Sequence, residues 1–383
     1  HHPRFAPVAG LQGRMVADAA VDHRHADAGP GQATDARRVR TRGLNRVIEQ
    51  SRNGAIRAYV NDFRILREID QSRPHALVFG GDMIYGYTSD VATLDRQYAF
   101  WRGMVAGLLE HGTYVLPVPG NHEVQVRETQ PGGGTTKRAR AANEEAWRAN
   151  MGDLILDAGR WKKASGVEPR SWNVDHRPAI GIDGISTDQR QLSYSFDSGS
   201  VHFAVINTDP AGFDESAPVS WLADDLSNAR ARGATHFFVF GHKPAFTFFP
   251  EGKATTDVEE GIASRPALRD RFWDVIETFG AIYFCGHQHL YHASQPRLHG
   301  GGSAWQVIVG TGGSPLRAGA RNEAARKANQ FAWVEVSVWP DGNTQLIARG
   351  FPNLEEPTKI IEQWIIRPTV GAHSNPHVTS AVR

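Results

Sequence analysis

A single cysteine, Cys285, is all that the 383 residues carry, which excludes a disulfide framework within one chain. It closes the apolar run Ile282-Tyr283-Phe284-Cys285 and reads as a small buried hydrophobe rather than a nucleophile. Long hydrophobic runs are missing as well. No stretch approaches the roughly 20 apolar residues that span a bilayer, so no membrane partner is expected. An excess of one charge is also lacking: 42 Lys+Arg stand against 41 Asp+Glu, a net +1. That balance argues against nucleic acid as a bulk partner. The first residues, His1-His2-Pro3, contain no apolar h-region. They fit a tag remnant or a mature end equally, which leaves secretion open.

What the chain does have is a series of short apolar runs, each followed by a metal-type ligand. Ala76-Leu77-Val78-Phe79 precedes Gly81-Asp82-Met83-Ile84-Tyr85, and Val115-Leu116-Pro117-Val118 precedes Gly120-Asn121-His122-Glu123. Phe237-Phe238-Val239-Phe240 runs into Gly241-His242, and the run ending at Cys285 runs into Gly286-His287-Gln288-His289. Val16-Ala17-Asp18 is a fifth candidate. Runs that are apolar on both faces read as strands of a covered sheet. Ligands at the C-termini of such strands gather along one edge, where α/β proteins place their sites. Asp, Asn and His are donors that suit Zn, Mn or Fe. Burying this many polar groups for structure alone is costly.

The intervening segments divide readily. Residues 19–43, rich in Ala, Arg, Asp, Gly and Pro, read as a long loop. Residues 44–71 show helical spacing, from Leu44, Val47 and Ile48 to Leu66 and Ile69, with Pro74 beyond their end. Residues 90–111 predict a second helix with Leu94, Tyr98, Trp101, Met104, Leu108 and Leu109 inward. Residues 125–190 read as an insertion with a flexible break at Pro131-Gly132-Gly133-Gly134. Its basic cluster, Lys137-Arg138-Ala139-Arg140, is either a solvated loop or a clamp on a phosphate. Alternation predicts strands at 192–196 and 201–206 about a turn at Asp197-Ser198-Gly199-Ser200, then a strand in 305–315 that runs into the glycine-rich turn Gly310-Thr311-Gly312-Gly313-Ser314-Pro315, and further strands at 331–338 and 345–349. The expected organisation is one domain over 1–368, with insertions at 19–43 and 125–190 and a loose tail over 369–383.

In their order along the chain, these motifs resemble the calcineurin-like metallophosphoesterase superfamily over roughly Asp18 to Pro315. The resemblance implies an α/β fold: a four-layer α/β/β/α sandwich of two mixed sheets flanked by helices. The first family motif, D-x-H, is altered, because Ala20 stands where a histidine is expected after Asp18; Asp22 is the alternative ligand. Purple acid phosphatases also lack that histidine and read G-D-x-x-Y, which Asp82 to Tyr85 match. The resemblance therefore implies one metal on Asp18, Asp82, Tyr85 and His289, and a second on Asp82, Asn121, His242 and His287. The metals expected are Fe with Zn or Mn, with Mn/Mn or Zn/Zn as alternatives. His122 is expected over the substrate as a catalytic acid, and Glu123 beside it as the residue that orients a histidine. The activity implied is hydrolysis of a small phosphate monoester by a metal-bridging hydroxide. A phosphodiesterase or nucleotide pyrophosphatase on the same scaffold is one alternative. An inactive phosphate-binding or scaffold module with a degenerate first motif is another. The resemblance favours export, periplasmic or secreted, with a cytoplasmic location also open.

Overall fold

The computed structural model describes residues 13–18, 55–248, 260–314, 316, 322–339 and 341–367, with 13–18 and 55–60 described by their backbone. The expected loop 19–43, residues 44–54 of the first helix, Asp22 and the C-terminal tail lie outside the described residues.

The chain opens with β1 (Gly13–Asp18). Helix α1 (Ala55–Ser72) leads into β2 (Ala76–Phe79), and α2 (Val91–Glu110) into β3 (Tyr114–Pro117). β1, β2 and β3 are parallel neighbours, with Val16 opposite Leu77 and Val78 opposite Leu116. A helical turn, α3 (Asn121–Val124), passes directly into β4 (Gln125–Thr129) and β5 (Thr135–Ala139). These two form an antiparallel hairpin of their own. So the basic cluster that reads as a loop in sequence is largely strand, turned at Gln130–Gly134. Helices α4 (Ala141–Met151) and α5 (Ala158–Ser165) follow.

A second sheet takes up the middle of the chain. It contains β6 (Pro169–Arg170), β7 (Tyr194–Ser198) and β8 (Val201–Val205), then α6 (Val219–Ala231), β9 (His236–Phe240), α7 (Pro266–Phe279) and β10 (Ile282–Cys285). β11 (Tyr291–Ser294) and β12 (Trp305–Val309) complete it, in the order β11-β12-β10-β9-β8-β7-β6. The chain then returns through α8 (Glu323–Ala328) to β13 (Phe331–Val338), β14 (Thr344–Phe351) and β15 (Lys359–Ile366). These add to the first sheet in the order β15-β14-β13-β1-β2-β3. Both sheets are mixed, as expected for the sandwich: the first is parallel over β1-β2-β3 at one end and antiparallel beyond β1, and the second has a parallel centre between antiparallel flanks.

The apolar runs are strands because both of their faces are covered. Along β9, Phe238 and Phe240 enter the core that also holds Val78, Phe79 and Leu116 of the first sheet. Phe237 and Val239 enter a second core with Leu222 and Leu226 of α6 and Phe272, Trp273 and Ile276 of α7. β10 alternates the same way, Phe284 to one side and Tyr283 and Cys285 to the other. On α2, Leu94, Tyr98, Trp101, Val105 and Leu108 form the buried stripe. Met104 and Leu109, expected inward, are half-buried at its margin.

The β7–β8 hairpin is tighter than the alternation implies. Asp197 and Ser198 stay in the ladder, paired with His202 and Val201, and only Gly199 and Ser200 make the turn. The reason is a closed ion cluster. His202, fully buried, sits between Asp197 Oδ1 at 2.7 Å and Asp225 Oδ2 at 2.9 Å. The Arg232 guanidinium grips both oxygens of Asp197, and Asp225 also meets His176 and Ser195.

Candidate metal centre

Four parallel strands deliver their C-terminal loops to one place: β2 and β3 from the first sheet, β9 and β10 from the second. The chain there turns through conformations that side chains rarely adopt. Asp82 has φ +54 and His287 φ +66, strain of the kind stored at functional sites. Gly81 has φ +94, and a Cβ on it would meet His242 Nδ1 at 2.6 Å and Gly120 Cα at 2.9 Å. Glycine is needed there because the loops after β2 and β3 touch backbone to backbone under the His242 ring.

Each ligand-type side chain is then held from behind. His242 Nδ1 lies 2.9 Å from the Gly80 carbonyl oxygen. A carbonyl only accepts, so the proton is on Nδ1 and the Nε2 lone pair faces inward. Nε2 is 3.1 Å from Asp82 Oδ2 and 3.2 Å from His287 Nδ1. His287 Nδ1 in turn is 2.9 Å from Asn121 Oδ1. Asn121 Nδ2 donates to the phenol oxygen of Tyr87, which fixes which end of the amide points inward. Asp82, His242 and His287 each offer a ligand atom within 4.8 Å of the others. These are N and O donors suited to Zn, Mn or Fe, and with Asn121 Oδ1 beside them the residues fit an ion.

The electrostatics follow from crowding. Burial opposes a charge on Asp82, yet His122, His242 and His287 hold its pKa far below the usual carboxylate range. Burial lowers the pKa of His242, but Asp82 outweighs it and raises the net value. His287 is lowered by burial, against a contact of its Nε2 with Glu260 at 3.5 Å. Glu123, with no exposed surface, is pushed up to about 7 by burial and by the Asp82 charge.

Glu123 differs from expectation in what it touches. Its carboxylate accepts main-chain N–H groups from Gly120 at 2.7 Å, Asp82 at 2.9 Å and Ile84 at 3.2 Å. It braces the two ligand loops against each other instead of orienting an imidazole. His122 lies over Asp82, with Nε2 3.8 Å from Oδ2 and the His122 main-chain N–H donating to Oδ1 at 3.0 Å. Its Nδ1 is 2.7 Å from the Tyr85 carbonyl, so the proton is on Nδ1 and Nε2 is the nitrogen on the Asp82 side.

The remaining expected ligands are placed less directly. Tyr85 is half-buried, meeting His122 through its main chain and through an edge-on ring contact at 6.3 Å. His289 is buried and lies outside the Asp82–His242–His287 trio. Asp18 ends β1 beside Phe79, at the same edge as Asp82; its side chain is outside what is described. Sequence reasoning missed Tyr87, whose ring lies tilted against that of His122 at 4.0 Å between centroids. A second tyrosine two residues past the G-D-x-x-Y motif was the available signal. It also missed Lys243, a buried ammonium behind His242 held by Asp209 at 2.8 Å.

A two-sheet sandwich with this donor cluster at its strand ends defines the architecture of a metallophosphoesterase. A family model for calcineurin-like phosphoesterases matches residues 51–291, and the chain belongs to that family. The family implies a dinuclear metal centre. Among solved structures, the purple acid phosphatase PPD1 from yellow lupin (Lupinus luteus) seeds is similar at a TM-score of 0.54 and 14% identity. That likeness is one of fold; it covers 94% of this chain but only 54% of the lupin enzyme. A dimetal phosphatase from Danio rerio gives a TM-score of 0.43 at 13% identity, covering 94% of this chain and 100% of that one. No curated protein matches the chain.

Proposed function

We propose that this protein is a metal-dependent phosphatase that hydrolyses small phosphate monoesters in the manner of a purple acid phosphatase. The observation that carries the reading is the convergence of Asp82 Oδ2, His242 Nε2 and His287 Nδ1, with Asn121 Oδ1 alongside. Asp82, Asn121, His242 and His287 would hold one ion. Asp18 or Asp22, with Asp82, Tyr85 and His289, would hold the other, iron paired with Zn or Mn. When bound, such ions supply Lewis acidity toward phosphoryl oxygens and an acidified water. The chain supplies the rest. Glu123 fixes the loop geometry, Gly80 fixes the His242 tautomer, and His122 presents Nε2 where a leaving oxygen needs a proton. Export from the cytoplasm and a single catalytic domain over 1–368 belong to the same proposal.

Elemental analysis of the purified protein with its visible spectrum, beside hydrolysis of p-nitrophenyl phosphate, tests the reading. Two metals per chain, one of them iron with a visible band, together with monoester turnover support it. Two colourless metals retain the phosphoesterase but remove the purple-phosphatase assignment. One metal or none, with no turnover, leaves the inactive phosphate-binding module in its place.

A further inference from the structure

A lysine is buried next to the metal centre, where a charge is expensive to keep. Lys243 follows His242 in the chain, and its ammonium lies 2.8 Å from Asp209 Oδ1 and 3.5 Å from Glu215 Oε1. Asp209 is buried as well, and its Oδ2 has no hydrogen-bond partner among the described residues. A buried ion pair adds little stability over apolar side chains of the same volume. An unanswered carboxylate oxygen adds a further penalty. Stability alone is therefore a poor account of this pair.

The pair is one end of a connection that crosses the molecule. Asp209 Oδ1 also accepts from the side-chain amide of Gln125 at 3.2 Å, and that amide donates to Asp214 Oδ1 at 2.8 Å. Gln125 is the first residue of β4, and its main-chain N–H bonds back to the Asn121 carbonyl at the end of α3. At the other end the main chain of Lys243 is pinned. Its carbonyl accepts from the Tyr283 hydroxyl of β10 at 2.6 Å, and its N–H donates to Thr208 Oγ1 at 3.3 Å. The His242 carbonyl accepts from Gly286 N–H at 2.8 Å. Asn121 and His242 come from different sheets, and three buried side chains, Gln125, Asp209 and Lys243, join their loops. The Gly80 carbonyl ties His242 to the loop after β2. The second tie, to the loop after β3, makes the position of His242 definite with respect to both Asp82 and Asn121.

We propose that Gln125, Asp209 and Lys243 form a strut that sets the separation of Asn121 and His242, so that Gln125 and Lys243 are positioning residues for the metal centre. The inference rests on the metal-dependent reading of the site and goes beyond it in assigning what holds ligands from two sheets at one spacing.

The test uses the zinc-loaded protein, with zinc retention measured against a graded chelator. The visible bands of the cobalt-loaded protein report ligand geometry, and urea midpoints report stability. Gln125→Leu cuts the strut at one end and leaves the ion pair. The double variant Lys243→Met/Asp209→Asn cuts it at the other and removes both charges together, which avoids stranding a buried carboxylate. Each is expected to lose about ten-fold in zinc affinity, the lower end of what residues supporting a ligand contribute. Shifted cobalt bands accompany the loss at a urea midpoint near native, and Lys243→Arg, which keeps a donor for Asp209, retains the wild-type bands. Zinc affinity and cobalt bands at wild-type values in both cut variants overturn the strut and leave the phosphoesterase reading intact. Weaker zinc binding with a lowered urea midpoint and unaltered cobalt bands also overturns it, as an effect on stability alone. A wild type that retains no zinc overturns the strut together with the metal-dependent reading.

Discussion

Two buried clusters in this protein are made of the same chemistry, histidine against carboxylate, and behave as opposites. Around His202 every polar atom is answered: Nδ1 by Asp197, Nε2 by Asp225, and the outer oxygens by Arg232, His176 and Ser195. Around Asp82 the partners are arranged from behind. Gly80 takes the far nitrogen of His242, Tyr85 that of His122, and Tyr87 the amide nitrogen of Asn121. What is left over points at one spot. The first cluster grows from ladder positions in β7 and β8, the second from loops beyond strand ends with left-handed backbone. Strands pair groups off, whereas loops at strand ends can aim them at a common centre.

Four substitutions or titrations sharpen that contrast. His242→Ala should have the largest effect, lowering apparent metal affinity by more than about 100-fold, beyond the range seen for residues that only support a ligand. Elemental analysis after dialysis reads it; metal retained at the wild-type level removes His242 from the ligand set. His202→Ala should instead cost ~3–5 kcal/mol of stability, as expected when a buried pair loses one partner. Urea midpoints measure this, and metal content per folded chain should not change. A fall in metal content with unchanged stability would reverse the roles assigned to the two clusters.

The His202 cluster also has a pH signature. Burial opposes charge on Asp197, but His202 and Arg232 bring its pKa down to about 2; burial opposes charge on His202, but Asp197 and Asp225 raise it. A lowered carboxylate stabilises above its unfolded value of about 3.9 and loses that contribution as pH falls through the folded value. A raised histidine stabilises fully below its unfolded value of about 6.5 and loses that contribution as pH rises through the folded value. The gap in urea midpoint between wild type and His202→Gln should therefore be widest between about pH 4 and 6.5. A gap that is flat from acid to alkaline pH contradicts an ionic cluster. Smallest in structural terms, Tyr85→Phe should remove the visible band of the iron-loaded protein while the fold persists. A band that survives removes Tyr85 from the proposed ligands.

Much of this could be read in the sequence because burial on both faces writes itself as an unbroken apolar run. Phe237 to Phe240 and Ile282 to Cys285 were legible as strands, and the residues after them as ligands. The β4–β5 hairpin was not, since Thr135-Thr136-Lys137-Arg138 has one solvated face and no apolar alternation to announce it. β15 was missed similarly; it is an edge strand whose burial is only partial. Nor does sequence tell what a buried acid touches. Glu123 was expected on an imidazole, and its main-chain partners Asp82 and Ile84 lie about 40 residues away. The role of Tyr87 depended on a hydrogen bond to Asn121, a relation between loops of different strands.

The candidate centre straddles the seam of the sandwich: Asp82 and Asn121 hang from the first sheet, His242 and His287 from the second. An ion gripped by both would act as a rivet between halves of the molecule. Mass action then ties assembly to supply, because a ligand bound only by the folded form adds RT ln(1 + [L]/Kd), about 2.7 kcal/mol at 100 times Kd. Such a protein would melt at a temperature set by the metal in its surroundings, and a chelator would lower it.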